Sequence, residues 1–171
     1  NTVDLIYNID LGEKASIKKI KFLGNKIFKD RKLRNVIVSE EDRFWKFITG
    51  NIYVDEKRIK LDSRLLTNFY KNKGFYNVNV KSSFATYTGS NNFELLFTID
   101  AGEKIYFNNF ELVLPDNYEK KPFDKITKRF KKLKGETYSF KEISKIIKII
   151  ETISYDFQYD FLDADFTEKL I

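Results

Sequence analysis

Val3-Asp4-Leu5-Ile6-Tyr7-Asn8-Ile9-Asp10-Leu11-Gly12-Glu13-Lys14 is half of an internal repeat. The other half is Phe93-Glu94-Leu95-Leu96-Phe97-Thr98-Ile99-Asp100-Ala101-Gly102-Glu103-Lys104. Leu5, Ile9, Asp10, Gly12, Glu13 and Lys14 return as Leu95, Ile99, Asp100, Gly102, Glu103 and Lys104. In both copies apolar residues alternate: Val3, Leu5, Tyr7, Ile9, then Phe93, Leu95, Phe97, Ile99. That is the period of a half-buried strand. Asp-x-Gly follows at once and turns the chain out of it. A phrase repeated at such a distance marks tandem copies of one small module. Here it reads as the last strand of a module plus the joint into the next.

The rest of the chain fits that frame. Residues 1–10 read as the closing strand of a preceding module. Ser16 to Leu23 reads as a strand with Ile20 and Phe22 inward, closed by Gly24-Asn25, both tolerant of positive φ. Asp30 is a candidate N-cap, with Leu33, Val36 and Ile37 following at helical spacing. Asp55 opens a second helix with Ile59, Leu65, Leu66, Phe69 and Tyr70 on one face, and Gly74 suits the position past its end. From Asn77 to Phe84 the chain alternates: Val78, Val80, Ser82 and Phe84 face one way. Gly89-Ser90-Asn91 then turns it into the strand Phe93–Ile99.

A second copy begins after Gly102. Phe110, Leu112 and Leu114 alternate as its first strand, ended by Pro115. Pro122 suits a first helical position, and Phe123, Ile126, Phe130 and Leu133 form a helical stripe. Ile143, Ile146, Ile147, Ile150 and Ile153 mark another helix, and Tyr155, Phe157, Tyr159 and Phe161 alternate as a strand. The expected fold class is α+β: tandem modules of order β-α-α-β-β, each a three-stranded mixed sheet covered on one face by two helices. Expected boundaries are 1–12 for the end of a preceding module, 13–101 for a complete module, and 102–171 for one truncated at its last strand.

Composition narrows the chemistry. The 171 residues are 42% hydrophobic, enough for one ordinary core or two small ones. No apolar run is long enough for a membrane-spanning helix. Methionine is absent even at position 1, so the chain is expected to be an internal fragment of a longer protein. Without cysteine there are no disulfides or thiolate metal sites, and without histidine the commonest general base and metal ligand is missing. No Gly-rich phosphate loop and no serine with a visible base partner occurs. Glu40, Glu41 and Asp42, like Asp160, Asp163 and Asp165, read as solvated loops rather than metal ligands. The expectation is therefore no enzyme, no cofactor and no metal.

Three surface candidates remain, each with a plainer alternative. Between Tyr118 and Ile150 eleven Lys or Arg stand against four acids. Lys121, Lys125, Lys128, Arg129 and Lys132 could meet an anionic surface, or could simply be a solvated face. Phe44, Trp45 and Phe47 could dock a partner, or pack on their own module or a neighbouring one. The strand Asn77, Val78, Asn79, Val80, Lys81, Ser82, Ser83 has no proline and one charge, Lys81. A sheet edge of that kind can accept an extended peptide, unless a neighbour covers it or Lys81 protects it.

Several phrases carry a resemblance: Ile9-Asp10-Leu11-Gly12-Glu13, Ile20-Lys21-Phe22-Leu23-Gly24-Asn25, and Leu65-Leu66-x-x-Phe69-Tyr70-x-x-x-Gly74-Phe75. Phe44-Trp45-Lys46-Phe47 followed by Tyr53 and Asp55 is more specific. The chain resembles the POTRA domains of the BamA family of outer-membrane assembly factors, its first module looking like the third such domain of alphaproteobacterial forms. The match of the second module, to the fourth domain, is looser, because Asp156 stands where the first copy has Gly74. The resemblance implies the periplasmic part of an outer-membrane protein, a scaffold rather than an enzyme. It implies outer-membrane assembly lipoproteins and unfolded β-barrel substrates as partners, with strand addition along Val78–Ser83; from the charge of the lysine-rich helix, lipid head groups are a further candidate. The alternative is a basic α/β module that binds nucleic acid through the lysine-rich helices of 118–150; under the first reading no nucleic acid is expected.

Overall fold

Ser16–Asn25 forms β1, which enters the core with Ile17, Ile20 and Phe22 buried. The burial alternation slips once, at Lys18 and Lys19, which are both exposed between Ile17 and Ile20. The computed structural model describes residues 3–9, 15–43, 50–86, 92–115, 118–159 and 166–169. By contacts the chain divides into two compact units, Asn1–Leu66 with Val80–Ile99, and Thr67–Asn79 with Asp100–Ile171.

The first unit follows the expected order. After β1 come α1 (Asp30–Arg34), a 3-10 turn at Gly50–Ile52, α2 (Glu56–Lys71, whose last residues belong to the second unit), β2 (Asn79–Thr86) and β3 (Asn92–Asp100). The strands lie in the order β1-β3-β2. β2 and β3 are joined only by residues 87–91, a connection that fits an antiparallel pair. β1 and β3 run parallel: Ser16 Oγ donates to Asn92 Oδ1 at 2.7 Å, Phe22 stacks on Phe97, and Gly24 lies against Ile99. The sheet is therefore mixed. Leu95, Phe97 and Ile99 of β3 are fully buried, as a strand flanked on both sides should be.

α1 is shorter than the spacing of Val36 and Ile37 suggests, and its cap lies one residue before the expected Asp30. Lys29 is the N-cap, and Asp30 lies in the first turn, where Lys26 Nζ reaches it at 2.5 Å. The helix stops at Arg34 because the backbone beyond is claimed elsewhere. Asp62, fully buried on α2 between Ile59 and Leu66, accepts Val38 N–H at 2.6 Å and Ser39 N–H at 3.2 Å. A carboxylate in an apolar stripe is costly unless donors meet it, and here two main-chain donors do.

The second unit contains α3 (Asp124–Leu133) and α4 (Phe140–Asp156), where the stripes of Phe123, Ile126 and Leu133 and of Ile146 and Ile153 form a buried cluster. Phe107, Phe110, Leu112 and Leu114 pack on that cluster, but residues 107–115 run without a regular strand. Their alternation is real and their burial as expected; what is missing among the described residues is a partner backbone, without which no ladder forms. Nearby, Phe107 N–H donates to Glu136 O at 2.9 Å and Tyr138 N–H to Ile105 O at 3.1 Å, a short antiparallel crossing around the Tyr106–Thr137 bridge.

Two further strand expectations change. Tyr155 belongs to the last turn of α4, Phe157 N–H caps it on Ile153 O, and Gln158 turns the chain at φ 53°. The isoleucine stripe carries the helix past the point where aromatic alternation begins; Phe161 lies outside the described residues. Residues 3–9 form no strand, and Val3, Leu5, Tyr7 and Ile9 are exposed.

Gly24 closes β1 at φ +83°, and a Cβ there would stand 2.5 Å from Ile99 O. Backbone, unlike a flexible side chain, cannot step aside. Gly24→Ala is expected to cost about 1–3 kcal/mol, read as a lower urea midpoint; an unchanged midpoint would show that β1 can detach from β3 there without penalty.

Candidate functional site: the two edges of the sheet

With β3 in the middle, β1 and β2 are the edges, and their surroundings differ. Several main-chain groups on the side of β1 away from β3, and Ala15 O just before it, are taken up. Val54 N–H donates to Ala15 O at 2.9 Å, and Asp42 N–H to Ile17 O at 2.7 Å. Ile20 N–H donates to Glu41 Oε1 at 3.1 Å, Arg34 Nη2 donates to Ile20 O at 2.8 Å, and Lys26 Nζ donates to Phe22 O at 2.8 Å. Glu41 is itself fixed from both sides, by Arg34 at 3.3 Å and Arg43 at 2.8 Å. The segment carrying it is anchored by Asp62 at Val38 and Ser39 and by Glu40 N–H on Asn51 O.

Glu40, Glu41 and Asp42 are thus not the solvated loop their composition suggests. Asp42 pairs with Lys18 at 2.5 Å, and the Glu41 side chain is only 14% exposed. Burial pushes the Glu41 carboxyl up, but the Arg43 hydrogen bond, the Ile20 N–H and the charges of Arg34 and Arg43 outweigh it and hold it below its ordinary value. Among the described residues no cluster of acids could hold a metal ion.

β2 has no such cover. Among the described residues no group from outside the sheet hydrogen-bonds to 79–84. Asn79, Lys81, Ser82 and Ser83 are exposed, Val80 is half-buried, and Phe84 meets Phe93 edge-on at 6.2 Å. The strand is shorter than the alternation from Asn77 implies: Asn77 and buried Val78 precede it, in a turn where Val78 N–H bonds Phe75 O. Phe44, Trp45 and Phe47 lie outside the described residues.

The basic residues sort into two kinds. Lys121, Lys125, Lys128 and Lys132 are exposed and follow one another at three- and four-residue spacing, opposite the buried Phe123, Ile126 and Leu133. Arg129 is drawn off that face into an ion pair with Glu142 of α4, which also holds Lys145 at 2.6 Å. The Lys145 hydrogen bond, then the one from Arg129, lowers the Glu142 carboxyl. Residues 118–134 carry eight Lys or Arg against Glu119 and Asp124, which equals the formal net charge of the whole chain, +6.

A mixed three-stranded sheet with its helices is a fold that many sequences share, and the family is decided by sequence. Residues 15–102 match the sequence model of the POTRA family, described as "Surface antigen variable number repeat". The chain belongs to the POTRA family. It is 32% identical over 80 residues to the outer membrane protein assembly factor BamA of Neisseria meningitidis serogroup B, a match covering 47% of this chain and 10% of that one. BamA of Neorickettsia risticii is 30% identical over 76 residues, 44% of this chain and 10% of that one. The matches thus span about a tenth of the length of these curated relatives.

Solved POTRA structures share the fold. Haemophilus influenzae BamA POTRA3-5 aligns with TM-score 0.56 at 11% identity, over 86% of this chain and 52% of that one. BamA of Haemophilus ducreyi lacking POTRA domains 1-3 aligns at 0.59 and 12%, over 80% and 24%. POTRA1-2 of Omp85 from Anabaena aligns at 0.53 and 14%, over 93% and 90%.

The cover of β1 carries a pH signature. Because the Glu41 carboxyl titrates below its ordinary value of 4.5, its contribution is present above that value and is lost as pH falls through the lowered one. Asp42 and Glu142 are lowered too and add to the same slope. Glu41→Gln is therefore expected to flatten, without abolishing, the loss of stability on acidification below about pH 4.5. Identical slopes in wild type and variant would mean that Glu41 contributes no linkage.

Proposed function

We propose that this chain is a periplasmic scaffold within an outer-membrane β-barrel assembly machine, and that it takes up extended strands by adding them to β2. One observation carries the reading: of two sheet edges, β1 is covered at Ile17, Ile20, Phe22 and Gly24, and β2 meets no group from outside the sheet among the described residues. An extended peptide can pair with such an edge through main-chain hydrogen bonds, which give affinity with little demand on sequence. That suits nascent β-barrel strands of many sequences and docking segments of assembly lipoproteins alike. Membership in the POTRA family and the similarity to BamA support this setting. Residues 13–101 form the complete module in this reading and 102–171 the next one. No side-chain chemistry is performed, so catalysis, cofactor and metal play no part.

The test uses two proline variants, because neighbouring residues of a strand aim their N–H groups to opposite sides. Of Val80→Pro and Lys81→Pro, one removes an outward donor and the other breaks pairing with β3. The outward one is expected to keep the sheet and to weaken binding of a lysine-ended peptide of alternating valine and threonine by at least about fivefold, one lost hydrogen bond. Unchanged binding in both variants, with the fold intact by circular dichroism, would remove β2 as the acceptor.

The lysine face of α3 supports a second surface in the same setting. We propose that Lys121, Lys125, Lys128 and Lys132 rest against anionic lipid head groups, since they gather on one exposed face of the segment whose net charge equals that of the whole chain. Replacing each lysine by glutamine is expected to weaken binding to phosphatidylglycerol vesicles about fivefold, and salt is expected to do the same in wild type. Equal binding to generic RNA at physiological salt would favour the nucleic-acid reading instead.

A further inference from the structure

We infer that Arg34 and Glu41 decide which edge of the sheet can receive a strand. The inference rests on the reading that β2 is the acceptor, and it explains why acceptance is confined there. Both β1 and β2 turn main-chain N–H and C=O groups away from β3, although β1 slips in its alternation at Lys18–Lys19. Whatever distinguishes them must lie in what covers them.

The cover of β1 is of two kinds. Along Ala15–Ile17 it is main chain, supplied by Val54 and Asp42. At Ile20 and Phe22 it is side chain. Both polar groups of Ile20 are occupied by one charged pair: the Glu41 carboxylate accepts its N–H, and the Arg34 guanidinium donates to its carbonyl. The two lie 3.3 Å from each other. An acceptor and a donor joined side by side reproduce what one residue of a fourth strand would present. A peptide reaching β1 finds its first pairing positions already filled.

The pair is held in place at some cost. Arg43 binds the second oxygen of Glu41 at 2.8 Å, so the carboxylate cannot swing out without losing two partners. Arg34 Nε is buried without a hydrogen-bond partner. A buried unsatisfied donor is unusual, and it fits a guanidinium placed for the group it reaches rather than for its own satisfaction. Were the pair absent, both polar groups of Ile20 would be open to an incoming chain in a stretch without proline, with Lys26 left on Phe22 O and Gly24 O beyond it.

The experiment uses the whole chain with Arg34→Ala and Glu41→Ala together, and Glu41→Gln as the conservative variant whose amide oxygen still accepts. Sedimentation velocity over a hundredfold concentration range reads self-association. Titration with the valine–threonine peptide, in wild type and in the outward-facing proline variant of β2, reads stoichiometry. The opened chain is expected to fold, and to associate with rising concentration or to bind a second peptide that the proline does not abolish. Glu41→Gln is expected to stay monomeric with one site. A folded double variant that remains monomeric and takes no second peptide overturns the inference. Should that variant fail to fold, Glu41→Ala alone, which leaves Arg34 on the Ile20 carbonyl, is put through the same two measurements, and the same results support or overturn the inference. The two readings fail separately: a wild type that binds no peptide removes β2 as acceptor, while self-association of the opened chain still reports whether the pair keeps β1 shut.

Discussion

Main-chain N–H and C=O groups must be hydrogen-bonded somewhere, and a sheet of three strands leaves two of them half satisfied. The architecture of the first unit is the answer to that constraint. β3 is placed in the middle and carries three fully buried side chains, Leu95, Phe97 and Ile99. β1 is closed by a chain of local arrangements that begins well away from it. Asp62 on α2 takes two N–H groups of Val38 and Ser39, which ends α1 early and lays Glu40–Asp42 along β1. β2 is left to water or to a partner. One buried carboxylate thus contributes to the asymmetry of the sheet, through the path it imposes on the chain between α1 and α2.

Much of this was legible in the sequence. The repeat at 93–104 identified β3, because a central strand reads as strict alternation ended by a turn. Gly24 and Gly74 marked the ends of β1 and α2, and both sit at positive φ where a side chain would meet backbone or a neighbour. The isoleucines of α4 and the stripe of α3 were visible as helical periods. The choice of Asn77–Phe84 as an edge strand came from its pattern and from the rule that three strands have two edges, and the sheet order places β2 at an edge.

What the sequence hid was long-range. Nothing near Asp62 announces that its partners lie at 38 and 39, since a single acid in a helical stripe is most often turned to solvent. Glu41 looked like loop because its neighbours are polar; its fixing residues, Arg34 and Arg43, and its target, Ile20, are brought to it by the fold. Arg129 counted as one more positive charge of a basic helix until α4 brought Glu142 against it. Tyr155 and Phe157 alternated as convincingly as any strand, yet a helix that already buries Ile146 and Ile153 gains more by adding a turn than by stopping. Periodicity reports which face a residue shows; it does not report whether a partner strand exists.

The energetics of the Arg34–Glu41 pair bear on what it is for. The Arg34 side chain is 36% exposed, so the pair sits near the surface, where ion pairs contribute at most about 1 kcal/mol. An apolar residue laid over Ile20 would bury more area, but it would leave the Ile20 N–H and C=O without partners, which costs about 1–3 kcal/mol for each group. Water could satisfy them as well, but water yields to an incoming strand and a doubly anchored carboxylate does not. The arrangement is therefore poorly explained as a contribution to folding stability and well explained as a means of closing one edge. On the proposed reading of β2 as the acceptor, a second open edge would let two copies, or one copy and two substrates, pair into a growing sheet. Closing β1 with side chains rather than with another strand keeps the sheet at three and, in the proposed reading, leaves β2 as the edge that receives a strand.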